Sequence, residues 1–334
     1  MALIPNDSGY DYNEDTDSGN SCQWDCVILV VVNIIICVLG LSGNGLVIWI
    51  AGLKMKKTVN TTWYLSLAIS DFLYCIFLPV NTAYLATNNW IFGLSMCKFT
   101  SFVMFLNMFS SISLLVIISI DRCVSVVFPV WAQNKRTVKK ASLVIILVWI
   151  ISIALSSPSA IFRKTIQYGE SIKCYNNYEL HSNHLAVVLS RFVCGFVVPF
   201  LIIISCYSVI IWRVRNNQMT KSSKPFKVMS ALIGAFFICW LPYHIVLLME
   251  TNEDNQQSEI FQICTKVFPV LANANSVLNP LLYAFMGRDF KHKCWRFAVS
   301  KIENALGEET QKKEEINCMT HNTGVSQYNS RLPL

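Results

Sequence analysis

The chain has 334 residues, of which 54% are hydrophobic and 14% charged, with a formal net charge of +7. Soluble domains carry about 25% charged residues, so the composition excludes an ordinary soluble enzyme and points to a membrane protein. The positive charge is gathered in short loops between apolar runs, which excludes a nucleic-acid-binding face as its explanation.

Residues 1–26 are polar and acidic, with no basic residue. They lack the basic start of a cleavable signal, so the first apolar run is expected to act as its own targeting signal. Asn6-Asp7-Ser8 is an N-glycosylation sequon, and Tyr10 and Tyr12 lie among acids, where sulfation or a plain solvated tail are both open. Seven apolar runs follow: Val27–Leu53, Thr61–Ala86, Cys97–Phe128, Ala141–Phe162, His184–Trp212, Phe226–Met249 and Ile260–Met286. Each suffices for a spanning helix, which needs about 20 apolar residues. None alternates as a barrel strand would. The expected fold is therefore an all-α membrane protein, a seven-transmembrane bundle over residues 27–286.

Lys54, Lys56 and Lys57 follow the first run, Lys135, Arg136, Lys139 and Lys140 the third, and Arg213, Arg215, Lys221, Lys224 and Lys227 the fifth. Arg288, Lys291, Lys293 and Arg296 follow the seventh. With seven spans these all fall on one side, and excess Lys and Arg mark the cytoplasm. The expected protein is multi-pass, with its N-terminus outside and its C-terminus inside. Asn60-Thr61-Thr62 is then a cytoplasmic sequon and is discarded. Residues 287–300, "GRDFKHKCWRFAVS", space Phe290, Cys294 and Phe297 as an amphipathic helix on the inner membrane face. Cys294 is a candidate for palmitoylation, with a free thiol as the alternative. Residues 301–334 read as a disordered cytoplasmic tail.

Most of the thirteen cysteines sit in apolar runs and read as small packed hydrophobes. Cys97 and Cys174 lie on the expected outside, where a bridge is chemically permitted. Cys22, Cys26 and Cys264 are also outward, and a pair among them could join the N-terminus to the seventh span.

Ionisable groups within spans are functional hypotheses by default. Asp71 is the one acid in the middle of a span. Asn44, Asn107, Ser111, Asn275 and Asn279 lie at comparable depth. The set reads either as a hydrated cluster holding a small cation by oxygen ligands, or as a hydrogen-bond network around a protonated Asp71. Arg191 lies near the outer end of the fifth run and is expected to face a wet cavity, its natural partner being a ligand carboxylate. Arg163 and Lys164 add positive charge there, with snorkelling as their alternative, and Glu250 adds the opposite sign. Pro79, Pro158, Pro199, Pro242 and Pro280 each permit a kink. Asp121 and Arg122 close the third run in "IISIDRCVSVVFPVW".

Taken in order, Gly43-Asn44, "SLAISD", Asp121-Arg122-Cys123, Trp149, Pro199, "CWLP" and "NPLLY" resemble the rhodopsin-like (class A) G-protein-coupled receptors over about residues 27–300. The resemblance implies a receptor, not an enzyme. It implies that Arg122 pairs with Asp121 at rest and is freed to face the G protein. Tyr207 and Tyr283 match the tyrosines that meet near that arginine, and Asn279 and Pro280 belong to the same switch. Pro199, Ile112 and Phe236 match the transmission core and Trp240 the pocket floor. Asp71, Ser111, Asn107, Asn275 and Asn279 match an allosteric sodium site; no other cofactor or metal is implied. Cys123 stands where tyrosine is commonest, and Ser222 where many relatives carry an acid that locks the arginine.

"DRCVSVVFPVWAQNKRTV", "SSPSAIFR" and "RFVCGFVVPF" resemble the chemoattractant branch, closest to the chemerin receptors, with the formyl peptide receptors as cousins. Formyl peptide receptors carry an acid where this chain has Phe105. Arg191 and Arg163 match residues used towards the C-terminal end of the chemerin peptide. The implied partners are a chemerin-like peptide or protein ligand, a heterotrimeric G protein of the inhibitory Gi/o class, arrestin, receptor kinases and membrane lipids. A scavenging or arrestin-biased receptor for the same ligand class, or a formyl peptide receptor, is the alternative.

Overall fold

A computed structural model describes residues 24–178, 180–216, 224–252 and 258–286. It contains α1 (Trp24–Trp49, closed by a wide π turn at Ile50–Lys54), α2 (Val59–Thr87), α3 (Gly93–Val127), a short α4 (Pro129–Lys135) and α5 (Val138–Ile161). A hairpin, β1 (Arg163–Tyr168) and β2 (Ser171–Asn176), comes next. Then come α6 (His181–Phe192), a π turn (Val193–Val197) leading into α7 (Val198–Asn216), α8 (Lys224–Met249) and α9 (Glu259–Met286). Among the described residues, six helical stretches are long and apolar enough to cross a membrane. The seventh, α9, carries Glu259, Lys266, Asn273, Asn275 and Asn279, and two of these, Asn273 and Asn279, make buried side-chain hydrogen bonds to other helices.

Local chemistry sets the ends. Thr58 and Thr61 form a reciprocal capping box at the start of α2 (3.2 and 2.8 Å). Asn88 ends that helix in the left-handed region, which asparagine tolerates. Pro129 opens α4, where its missing N–H costs nothing, and Thr137 caps α5. The two-residue turn Gly169-Glu170 closes the hairpin, with Gly169 at φ +57°. The hairpin and α4 were not expected from the sequence, whose reading was by span alone.

α3 is the axis. Two-thirds of its apolar stretch is buried, against about one-fifth for α1 and α5. Leu67, Met108, Phe109, Ile112, Leu115, Phe236 and Trp240 form the central core. Ile34, Leu143, Ile146, Ile150 and Ile238 point outward and are exposed, which only hydrocarbon would solvate without penalty. Two glycines allow close approach. A Cβ on Gly43 would lie 3.0 Å from Pro280 of α9, and one on Gly195, inside the π turn, 3.0 Å from Met108 of α3.

Candidate functional site

The hairpin lies across one end of the bundle. Cys97 at the start of α3 is disulfide-bonded to Cys174 of β2, with Cα atoms 5.8 Å apart. Trp90 N–H donates to the Ile172 carbonyl and Ile172 N–H to Asn89 Oδ1, each at 2.8 Å. Cys26 is also disulfide-bonded, whereas Cys264 is a free thiol. The bridge to the last span that the sequence left open is therefore not made through Cys264.

Under the hairpin opens a cavity of about 670 Å³, lined from α1, α2, α3, α8, α9 and the hairpin, and including Arg163 and Lys266. Arg163 Nε donates to Ser101 (3.1 Å) and its Nη1 to the Cys174 carbonyl (3.2 Å). Burial lowers the Arg163 pKa below its ordinary value, and the nearby Arg191 charge acts in the same direction. Burial raises that of Tyr178, against the opposing pull of Arg191.

Arg191 departs from the expectation of a wet cavity. It is 2% exposed, its guanidinium carbon lies 3.8 Å from the centre of the Phe105 ring, and Nη2 donates to Ser159 Oγ at 2.9 Å. The aromatic face of Phe105 supplies the negative potential that the cation needs. Tyr178 lies close enough to feel its charge, and Glu250 contributes an opposing charge to the same group of residues. Phe105 in turn packs on Tyr243. Arg191 is thus a covered cation beside the cavity, and Phe105 is its cover.

Below lies a packed middle. Trp240 stacks on Phe236 at 6.0 Å and its Nε1 is buried without a partner. Ile112 and Phe236 are fully buried in one core cluster, and Pro199 is buried in α7. Asp71, also fully buried, accepts from Asn107 Nδ2 (2.8 Å) and Asn279 Nδ2 (2.7 Å). Asn44 Nδ2 donates to the Ser276 carbonyl at 2.8 Å. Ser111 Oγ, Asn44 Oδ1 and Asn275 Nδ2 are buried with no partner. No cationic side chain pairs with Asp71 among the described residues. Carboxylate and orphaned oxygens are the donor set a hard monovalent cation takes.

At the opposite end the ion pairs differ from the expected latch. Arg122 approaches Asp121 only to 4.0 Å. Asp121 is gripped instead by Arg136, Nε to Oδ1 at 2.6 Å and Nη2 to Oδ2 at 2.8 Å, the bidentate geometry that favours Arg over Lys. Arg122 and Arg136 both donate to Asn60 Oδ1, and Arg122 Nε has no partner. Tyr207 of α7 lies near Ser230 of α8. Tyr283 lies on α9, its side chain outside the described residues, as are Asn6, Tyr10, Tyr12, Ser222, Cys294 and the helix expected over residues 287–300.

Arg136 and Asn60 were missed as functional residues. Arg136 was counted only as loop charge, and Asn60 only as a discarded sequon. The available signal was an arginine two turns past Pro129, which α4 folds back onto Asp121.

The sequence model for seven-transmembrane receptors of the rhodopsin family matches residues 43–283. The chain belongs to that family. It is accordingly a multi-pass membrane receptor of the class A G-protein-coupled type and not an enzyme. Among its relatives is chemerin-like receptor 1 of Homo sapiens, 44% identical over 306 residues, covering 85% of this chain and 81% of the relative. The C3a anaphylatoxin chemotactic receptor of Danio rerio is 39% identical, covering 90% and 83%. Chemerin-like receptor 2 of Macaca mulatta is 34% identical, covering 84% and 80%. The receptor is therefore of the chemoattractant kind within class A.

Proposed function

We propose that this receptor binds a chemerin-like peptide or protein at the hairpin end and signals through a Gi/o-class G protein at the Asp121 end, with arrestin and receptor kinases limiting the response. The observation that carries the reading is a mismatch at the two ends of α3. The cavity offers cations, Arg163 and Lys266, with no acid among its described lining residues. Arg122, at the far end, keeps a buried Nε donor unpaired. An acidic ligand end suits the first, and an acceptor offered by a bound protein suits the second. The intervening Trp240, Phe236 and Ile112 are tightly packed, so that a shift at one end can be felt at the other. The likeness to chemerin-like and C3a chemotactic receptors supports the ligand class. The hairpin end is outside in this reading. Basic Lys54, Lys135, Arg136, Lys139 and Lys140 cluster at the Asp121 end, and the Cys97–Cys174 disulfide suits an oxidising exterior.

The test is inhibition of cyclic AMP in cells lacking related receptors, with pertussis toxin as control and arrestin recruitment read in parallel. The probes are a peptide copying the chemerin C-terminus and a formyl peptide. A toxin-sensitive response to the first supports the reading. Arrestin recruitment without a cyclic AMP change supports a scavenging receptor, and a response to the formyl peptide alone overturns the ligand class.

The middle layer carries a further part of the proposal, a sodium ion held by Asp71 with the oxygens of Ser111 and Asn44. It would lend the buried carboxylate the positive charge that the protein does not supply. Exchanging NaCl for choline chloride is expected to raise agonist affinity in the wild type and to leave Asp71→Asn unchanged. Equal affinities in both salts for the wild type would remove the ion from the account.

A further inference from the structure

Three helices give the cavity a polar lining. Asn33 of α1, Tyr74 of α2 and Asn273 of α9 all line it, yet they are only 4%, 3% and 7% exposed. Asn33 is the one polar residue in the run "VILVVVNIIICVLGL", where a valine would be cheaper in lipid and in the core. The three side chains are joined in series. The Tyr74 hydroxyl donates to Asn273 Oδ1, and Asn273 Nδ2 donates to Asn33 Oδ1 at 2.8 Å.

The direction of this chain matters, because an amide has one accepting and one donating end. Among the described residues Asn273 is the sole partner of the Tyr74 hydroxyl. If both amides were reversed, Tyr74 would accept from Asn273, and its own buried hydrogen would have no acceptor, which is costly. Tyr74 therefore fixes Asn273 with its oxygen inward, and Asn273 fixes Asn33 in the same sense. What remains is the Nδ2 group of Asn33. It has no partner among the described residues. It is not sealed in the packed interior as Asn275 Nδ2 is, and it belongs to a residue that lines the cavity.

We propose that Asn33 Nδ2 is a ligand-reading donor that takes a carbonyl or carboxylate oxygen of the ligand, held in direction by Tyr74 and Asn273 as positioning residues. Arg163 of β1 and Lys266 of α9 line the same cavity and are donors too, so three elements of the fold offer it donors. The ligand class that fits is a peptide end rich in acceptors, such as a free C-terminus with its last backbone carbonyls. An ammonium or other donor set against α1 meets donor with donor and is rejected. The inference rests on the reading of this cavity as the ligand site.

Asn33→Asp separates reading from structure. The carboxylate still accepts from Asn273, so a purely structural role survives, but it turns an oxygen instead of an N–H towards the ligand. Binding of the peptide copying the chemerin C-terminus is measured on purified wild type and variant, alongside ligand-free melting. The expected result is an affinity loss of about tenfold or more, with ligand-free melting close to wild type. Tyr74→Phe keeps Asn33 but frees the chain to reverse, and a smaller loss, about threefold, is expected. It also serves if Asn33→Asp fails to fold. Wild-type affinity in either folded variant overturns the donor assignment while leaving the ligand reading intact. A wild type that does not bind the peptide removes the ligand reading, and this inference with it.

Discussion

Arg191 and Arg122 stand at opposite ends of the bundle and are held in opposite ways. Arg191 is 2% exposed, capped by the Phe105 ring and fixed by Ser159. Arg122 has a side chain 18% exposed, stands 4.0 Å from its neighbouring acid and leaves one donor unused. A covered, well-partnered cation stabilises one arrangement. A half-satisfied cation has something to gain from another arrangement, which a two-state device requires. The difference arises from competition: among the described residues no second arginine contests Ser159 at the hairpin end, whereas at the other end Arg136 takes the Asp121 carboxylate first.

The largest effect is expected from Arg122→Ala. Ligand-stimulated cyclic AMP inhibition should vanish while ligand affinity stays near wild type. Loss of both together would mean that Arg122 supports the fold and is not a movable contact. Next comes Arg191→Ala, which removes a buried cation from beneath Phe105 and leaves Ser159 unpaired. A cost of about 2–4 kcal/mol is expected, read as a lower melting temperature of purified receptor without ligand. An unchanged melting temperature would show Arg191 to be reserved for ligand and not for structure.

Arg136→Ala sharpens the contrast from the other side. With the bidentate grip gone, Asp121 is free to close on Arg122, making the latch that the wild type lacks. Basal signalling should fall about threefold to tenfold, which corresponds to roughly 0.7–1.4 kcal/mol. Basal signalling that rises instead would mean that Arg136, not Asp121, restrains the switch.

Much of this arrangement could be read from the chain. The seven runs reappear as helices because about 20 apolar residues have few alternatives in a bilayer. Asp71 meets Asn107 and Asn279 because depth along straight helices can be counted from the loops. Other features depend on tertiary packing. Nothing in the spacing of Arg191 announces that Phe105, on another helix, will cover it. The Arg136 grip needs α4 to turn the chain back, and the shared role of Asn60 needs α2 to bring it beneath both arginines. Asn33 was not singled out in the sequence, although it is the odd residue in an oily run, and its direction is set by Tyr74 and Asn273, more than 40 residues away along the chain.

The smallest effect is expected from Ser159→Ala, and it tests how Arg191 is held. The Ser159 hydroxyl supplies one hydrogen bond to a charged group, while the Phe105 face and the neighbouring Tyr178 remain. If the ring is the main support, the loss should be about 1 kcal/mol or less, and ligand affinity should hardly change. Phe105→Leu, which keeps bulk but removes the quadrupole, should then cost more than Ser159→Ala in the same melting experiment. The reverse order would make the hydroxyl the anchor and the ring mere packing. In that case Arg191 would be tethered from one side only, and free to swing towards an acidic ligand in the way Arg122 is free at the other end.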